Sequence, residues 1–272
     1  MSSIKKIFRK EVVVVVVAVI ITTVGIRASD SLKTKNDMSN DGCGEDMVFV
    51  PSSEGGFCID IYEASAGEDC LYRDEYNIDK TRINLKTEKC SAASIGGAVP
   101  WRYISRDQAA LACAKSGKRL ATAKEWYQAS LGTPDIDRGW GVDDCQVSSN
   151  WADQPGSTGS GKNCVSSVGA YDMVGNVWEW VDGTITDAKY KDTIVPGSGY
   201  VQSLGVDALP AVTDDSANVD YYNDYFWSND VGVRAIARGG SWINKKDAGQ
   251  YAVYAEADTA FIGNGIGFRC AK

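Results

Sequence analysis

Eight cysteines, Cys43, Cys58, Cys70, Cys90, Cys113, Cys145, Cys164 and Cys270, are spread along the 272 residues, and no two of them stand as C-x-x-C. An even, dispersed set of this kind argues against a zinc ribbon or a thioredoxin-like redox motif. It argues for a disulfide framework formed in an oxidising compartment. Sequence alone leaves many connectivities open. Local pairs Cys43–Cys58, Cys70–Cys90 and Cys145–Cys164 would each close ~15–20 residues and contribute roughly 3 kcal/mol through chain entropy. Cys113–Cys270 would then staple a helix to the last strand, for roughly 5 kcal/mol in the same treatment.

The front of the chain agrees with export. Lys5, Lys6, Arg9 and Lys10 lead into an apolar run from Val12 to Ile26, broken only by Thr22, Thr23 and Gly25. At about 1.5 Å per residue this run reaches roughly 22 Å, short of a ~30 Å hydrocarbon core. A basic segment before a short apolar one is the pattern of a secretory signal. Ile26-Arg27-Ala28 is an imperfect cleavage site, so a retained N-terminal anchor is the alternative. Either reading sends the rest of the chain across the membrane, secreted or held at the cell surface, with membrane contact only through residues 1–28. Residues 29–42 are polar and read as a linker. The domain then runs from 43 to 272.

Composition removes several functions. With 28 Lys+Arg against 36 Asp+Glu the net charge is −8, which leaves no basic footprint for nucleic acid. There is no histidine. Ser-His-Asp and Cys-His catalysis, His-ligated zinc and two-His-one-carboxylate iron are therefore excluded.

Within the domain, 47–50 and 57–62 read as short strands. Ser105 with Gln108, and Thr122 with Glu125, are capping boxes that open two helices, the first stopped at Gly117. From Pro134 onward Gly, Ser, Asn, Asp and aromatics dominate, without a helical period. The stretches 133–165 and 182–223 read as long loops, of the kind that are functional or cross-linked. Two early helices followed by short strands predict a single α+β domain.

Five segments line up, in order, with one family: Met47-Val-Phe-Val-Pro51, Gly117-Lys-Arg-Leu120 with Thr122 and Glu125-Trp126, Tyr171-Asp-Met-Val-Gly-Asn-Val-Trp-Glu-Trp180, Arg238-Gly-Gly-Ser-Trp242 and Gly267-Phe-Arg-Cys270. The chain resembles the formylglycine-generating enzyme (sulfatase-modifying factor) domain over residues 43–272. That resemblance implies an elaborated C-type lectin-like fold and the pairing of Cys113 with Cys270. It also implies a structural calcium site at Asp172, Gly175, Val177 and Glu179, with Asp172 replacing an amide ligand of some members. Oxygen donors alternating along an irregular loop suit that ion. Trp178, Trp180 and Gly175 read first as architecture, through buried area and close backbone approach.

Enzymes of the family hold copper between two cysteines just after the Gly-Gly-Ser segment. Here Ile243, Asn244, Lys245, Lys246 and Asp247 follow Trp242, and no sulfur ligand is on offer, so copper is not expected. The C-terminal part is closer to the variable proteins of diversity-generating retroelements, which share the lectin-like fold and keep ligand-contacting positions in their final segment. That likeness makes 224–268 a binding region, with Tyr225, Phe226, Trp227, Ser241, Ile243, Tyr254, Glu256, Phe261, Ile262, Asn264 and Ile266 as contact residues. The resulting expectation is a non-enzymatic binder of a protein or glycan ligand on another cell or virus surface. The alternatives are an oxidase with unfamiliar metal ligands and a self-associating envelope component.

Overall fold

Ser105 and Thr122 each open a helix, α2 (Arg106–Lys115) and α3 (Ala123–Ser130), in the way their spacing predicts. In both, the hydroxyl accepts from the third backbone N–H, and that residue's side chain accepts from the capping N–H. The computed structural model describes residues 42–53, 55–136 and 138–272. The leader and nearly all of the linker lie outside the described residues. Residues 43–272 form one unit.

A further helix, α1 (Ile78–Lys86), precedes these two and was not expected. Asn77 caps it, accepting from the Lys80 N–H. Its buried residues are Thr81 and Asn84 rather than an apolar stripe, so no 3.6-residue hydrophobic period marks it. Thr81 accepts from the Trp101 indole at 3.1 Å, and Asn84 bonds the backbone of Tyr72.

Among the described residues the strands form three sheets. β1 (Met47–Val50), β2 (Phe57–Asp60), β15 (Cys270–Ala271) and β5 (Arg119–Leu120) lie side by side, which seats the final residues between the first strands and the helical segment. β3 (Ala64–Ala66) and β4 (Ala92–Ser94) make a small ribbon. The large sheet has the order β10 (Pro210–Asp214), β9 (Gly199–Leu204), β11 (Tyr225–Ser228), β13 (Val253–Ala255), β12 (Val233–Arg238), β6 (Trp178–Thr186), β7 (Lys189–Tyr190) and β8 (Thr193–Ile194), with β14 (Ile266–Phe268) beside β6. Between sheets and helices lie Trp101, Trp126, Trp180, Phe226 and Phe268, all fully buried.

Residues 182–223 are therefore no loop. They carry the end of β6 and all of β7 to β10, and the brevity of those strands together with left-handed turn residues such as Asp187, Ala188, Lys191 and Asp192 hid them. The described residues of 134–177 form no helix or named strand, and Cys145–Cys164 ties that stretch together. The other bridges are Cys43–Cys58, Cys70–Cys90 and Cys113–Cys270, so all four pairs follow the expected connectivity.

Candidate ligand-binding face

Alternation along two adjacent strands sorts the aromatic residues. In β11, Phe226 is fully buried while Tyr225 and Trp227 are half-exposed; in β13, Val253 and Ala255 are buried and Tyr254 is half-exposed. The strands run parallel with Trp227 opposite Tyr254, and on the other side of β11 Tyr225 stands opposite Tyr200 of β9. One outward row results. Ring centroids are 5.1 Å apart for Tyr200–Tyr225, 4.9 Å for Tyr225–Trp227, 5.4 Å for Trp227–Trp178 and 5.8 Å for Trp178–Tyr254. Lys246 closes one end, its ammonium 4.9 Å from the Tyr200 centroid and donating to the phenol at 3.2 Å. Burial raises the Tyr225 and Tyr254 phenols above their ordinary range, so both remain neutral donors at physiological pH.

At the other end the row runs into a cavity of about 210 Å³. Six of the eleven expected contact residues line it: Ser241, Ile243, Tyr254, Phe261, Asn264 and Ile266. Ser241 and Ile266 are buried in its wall, whereas Ile243 is 63% and Phe261 43% exposed. The walls are held from behind. The Ser241 N–H and hydroxyl both donate to the Asn244 side-chain oxygen, at 2.9 and 2.7 Å. Tyr103 N donates to Gly263 O, and Arg102 Nη1 to Asn264 O, both at 3.0 Å. Gly240 sits at φ +85°, where a Cβ would run into Ala248. Ile243 and Phe261 thus lie open on a backbone that is fixed by hydrogen bonds.

Five expected contacts lie outside the cavity. Tyr225 and Trp227 extend it as the aromatic row. Glu256 is exposed and Ile262 half-exposed, and neither lines the cavity. Phe226 is a correction: it is a core residue facing away from the surface, because β11 alternates. Sequence reasoning missed three participants. Trp178, read as architecture, shows one edge to the cavity; Asn244 braces its wall; Tyr200 lies outside the C-terminal segment altogether. An aromatic at the start of a short strand was the only available signal for Tyr200.

Two carboxylates of the expected calcium set, Asp172 and Glu179, lie in a buried polar cluster. Glu179 is fully buried and engaged by Arg269, with Nε to Oε2 at 2.7 Å and Nη2 to Oε1 at 2.6 Å, and its Oε2 also accepts from the Trp126 indole at 2.6 Å. Both oxygens therefore accept hydrogen bonds from protein donors. Burial works against the Arg269 charge, but the carboxylates of Glu179, Glu63 and Asp172 outweigh it and raise its pKa. Asp172 accepts from Gly159 N at 2.6 Å through Oδ2, leaving Oδ1 without a partner, and burial pushes it up to about 7. Glu63, raised well above the carboxylate range by burial and then by Asp172, accepts from the Val177 N–H and the Asn176 side chain. Among the described residues no three His, Cys, Asp or Glu side chains are grouped to hold a metal. This cluster is centred on the Arg269 guanidinium.

All eight cysteines are in disulfides, which leaves no thiolate near Gly239-Gly240-Ser241.

Comparison with known proteins places these features. The family described as the sulfatase-modifying factor enzyme 1-like domain matches residues 50–272. No curated protein sequence matches the chain. Among solved structures, the M1 variant of the Major Tropism Determinant is 17% identical, with a TM-score of 0.43, covering 86% of this chain and 53% of that one. The chain thus spans about half the length of that protein. Treponema denticola variable protein 1 is 15% identical (TM-score 0.38; 82% and 97% covered), and PvdO from Pseudomonas aeruginosa is 17% identical (TM-score 0.41; 80% and 80%). The few helices, twisted sheets and disulfides agree with the C-type lectin-like fold that the motifs implied.

Proposed function

The chain belongs to the sulfatase-modifying factor enzyme 1-like domain family, and on that premise we propose that it is a non-enzymatic, exported binding protein whose C-terminal face captures a protein or glycan on another cell or virus surface. The observation that carries this reading is the continuous row from Tyr200 to Tyr254 opening into the cavity beside Ile243 and Phe261. Rigid aromatics with small polar neighbours are what binding surfaces use, and a few desolvated rings supply most of the affinity. The cysteine inventory points the same way: copper chemistry of the family's kind needs thiolates, and each cysteine sulfur here is tied to another.

The test is capture. The purified domain, presented to a glycan array and to a displayed library of surface proteins, is expected to retain ligands that the Trp227→Ala/Tyr254→Ala double variant does not. Equal retention by both proteins would sink the reading, as would stoichiometric copper uptake with turnover of a cysteine-containing peptide. That residues 224–268 are diversified is part of the same proposal. A neighbouring reverse-transcriptase gene and a near-copy of the DNA for that segment, differing at adenines, would support it.

A further inference from the structure

The rings of the aromatic row do not share one plane. Tyr200 meets Tyr225 at 86°, Tyr225 meets Trp227 at 53°, and Trp227 meets Trp178 at 88°, so successive rings turn through corners. Each π-face carries the negative lobe of its ring's quadrupole, and a group seated in a corner touches two rings at once. That arrangement suits a cation, whereas a sugar stacks on a single flat face. One end of the row shows the preference already. The Lys246 ammonium sits 4.9 Å from the Tyr200 centroid and donates to its phenol.

Carboxylates approach the same rings from three parts of the chain. Asp215 follows Asp214, the residue paired with Tyr200 across β9 and β10. Asp247 adjoins Lys246, and its Oδ1 is buried without a hydrogen-bond partner. Glu256 is exposed and lies two residues beyond Tyr254, on the side to which the alternation of β13 turns that ring. After burial and Tyr200, these three acids raise the Tyr225 phenol. At the Tyr254 phenol, burial and then Glu256 act against Arg234. Arg234 itself gives Nε to Val231 O and Nη1 to Glu256 O, both backbone carbonyls. Tyr225, Trp227 and Tyr254 therefore keep half-exposed rings in a field set largely by acids.

We propose that the ligand is a protein that sets a lysine or arginine side chain into the corner of Tyr225 and Trp227, beside Tyr254, with Asp247 and Glu256 as counter-charges. The inference rests on the binding reading and narrows it to a protein with a basic contact, in place of a neutral glycan. The ring faces hold the charged head where water is partly excluded, and the acids supply attraction that reaches further. The chain's net charge of −8 draws a basic partner in from a distance.

Small probes test this directly. N-acetyl-arginine amide and N-acetyl-lysine amide are each matched with a neutral analogue of similar length, the citrulline and norleucine amides. Titrated into the purified protein and followed through the ring resonances of Tyr225, Trp227 and Tyr254, the cationic probes should reach half-saturation at about 10-fold lower concentration than the neutral ones. Asp247→Asn combined with Glu256→Gln should cut that preference to about 3-fold. High salt should weaken it in the wild type too, a check that needs no variant. Equal midpoints for charged and neutral probes would overturn the proposal. So would saturation of the same resonances by methyl α-mannoside or methyl β-galactoside, which carry no charge. A preference indifferent both to salt and to the two substitutions would overturn it as well, since the counter-charge would then lie elsewhere. The two readings fail separately. Ligands captured from the displayed library without any charge preference among the probes would sink the cation and leave the binding face. A clear charge preference with nothing captured would do the reverse.

Discussion

Around Arg269 and along the β11–β13 face the molecule treats its surface in opposite ways. The guanidinium of Arg269 is enclosed and every donor it has is matched, by both oxygens of Glu179 and by the carbonyls of Asp60, Ile61 and Tyr171. The aromatic row has the reverse character: large rings touch one another, yet their outer faces and the neighbouring Ile243 and Phe261 are left in water. The first region could be strengthened only by rebuilding it, because a satisfied buried pair is fragile to any single change. The second can change at each position without leaving an orphaned group behind. Difference in satisfaction, more than difference in composition, separates the enclosed region from the open face here.

That contrast can be broken by substitution. Removing the enclosed partner should cost most: Arg269→Met leaves Glu179 buried and unpaired, and a loss of about 3–5 kcal/mol is expected in urea unfolding. A loss under about 1 kcal/mol would show the pair to be incidental. Two adjacent residues of β11 make the sharpest comparison. Phe226→Ala opens a cavity and should cost about 3–4 kcal/mol of stability. Trp227→Ala should cost only about 1 kcal/mol while weakening capture roughly 30-fold, the loss of one ~2 kcal/mol hot spot. Similar stability losses for the two would place Trp227 in the core.

Asp172 sharpens the comparison through pH. Burial raises it to about 7, so its contribution is fully present at acid pH and lost as pH rises through that value. Asp172→Asn keeps an acceptor for Gly159 N and suits the left-handed φ of +58°. It should be the more stable protein at pH 8 by about 1 kcal/mol and lose that advantage near pH 5, read from paired unfolding curves. The smallest effect belongs to Ile243→Ser, expected within about 0.5 kcal/mol of the wild type in stability. A tenfold loss of capture by that variant would mark Ile243 as a contact.

Much of the scaffold was legible because local chemistry and the fold agree. Ser105 with Gln108, and Thr122 with Glu125, announce their helices, and the even cysteine spacing fits the observed bridges. Helix α1 was not legible, since its inward residues are Thr81 and Asn84, whose role is hydrogen bonding rather than apolar packing. Strands β7 to β10 were hidden by their length and their turn residues. On the face, six of the residues expected from the final segment line one cavity, but Phe226 was misplaced because a run of three aromatics does not show which one turns inward. Tyr200 was missed for a different reason: only sheet pairing brings β9 beside β11, and pairing at that separation leaves no mark in either stretch alone. At Glu179 the donor pattern was legible, whereas its pairing with Arg269, ninety residues away, was not.

The placement of β14 and β15 has one last implication. Arg238 and the Phe268-Arg269-Cys270 run are all fully enclosed, and Cys270 is bolted to α2 through Cys113. The intervening stretch therefore leaves from one fixed address and returns to another, whatever it contains. Rewriting its exposed side chains alters neither the departure nor the arrival, so that stretch can be varied without asking the remainder to fold again.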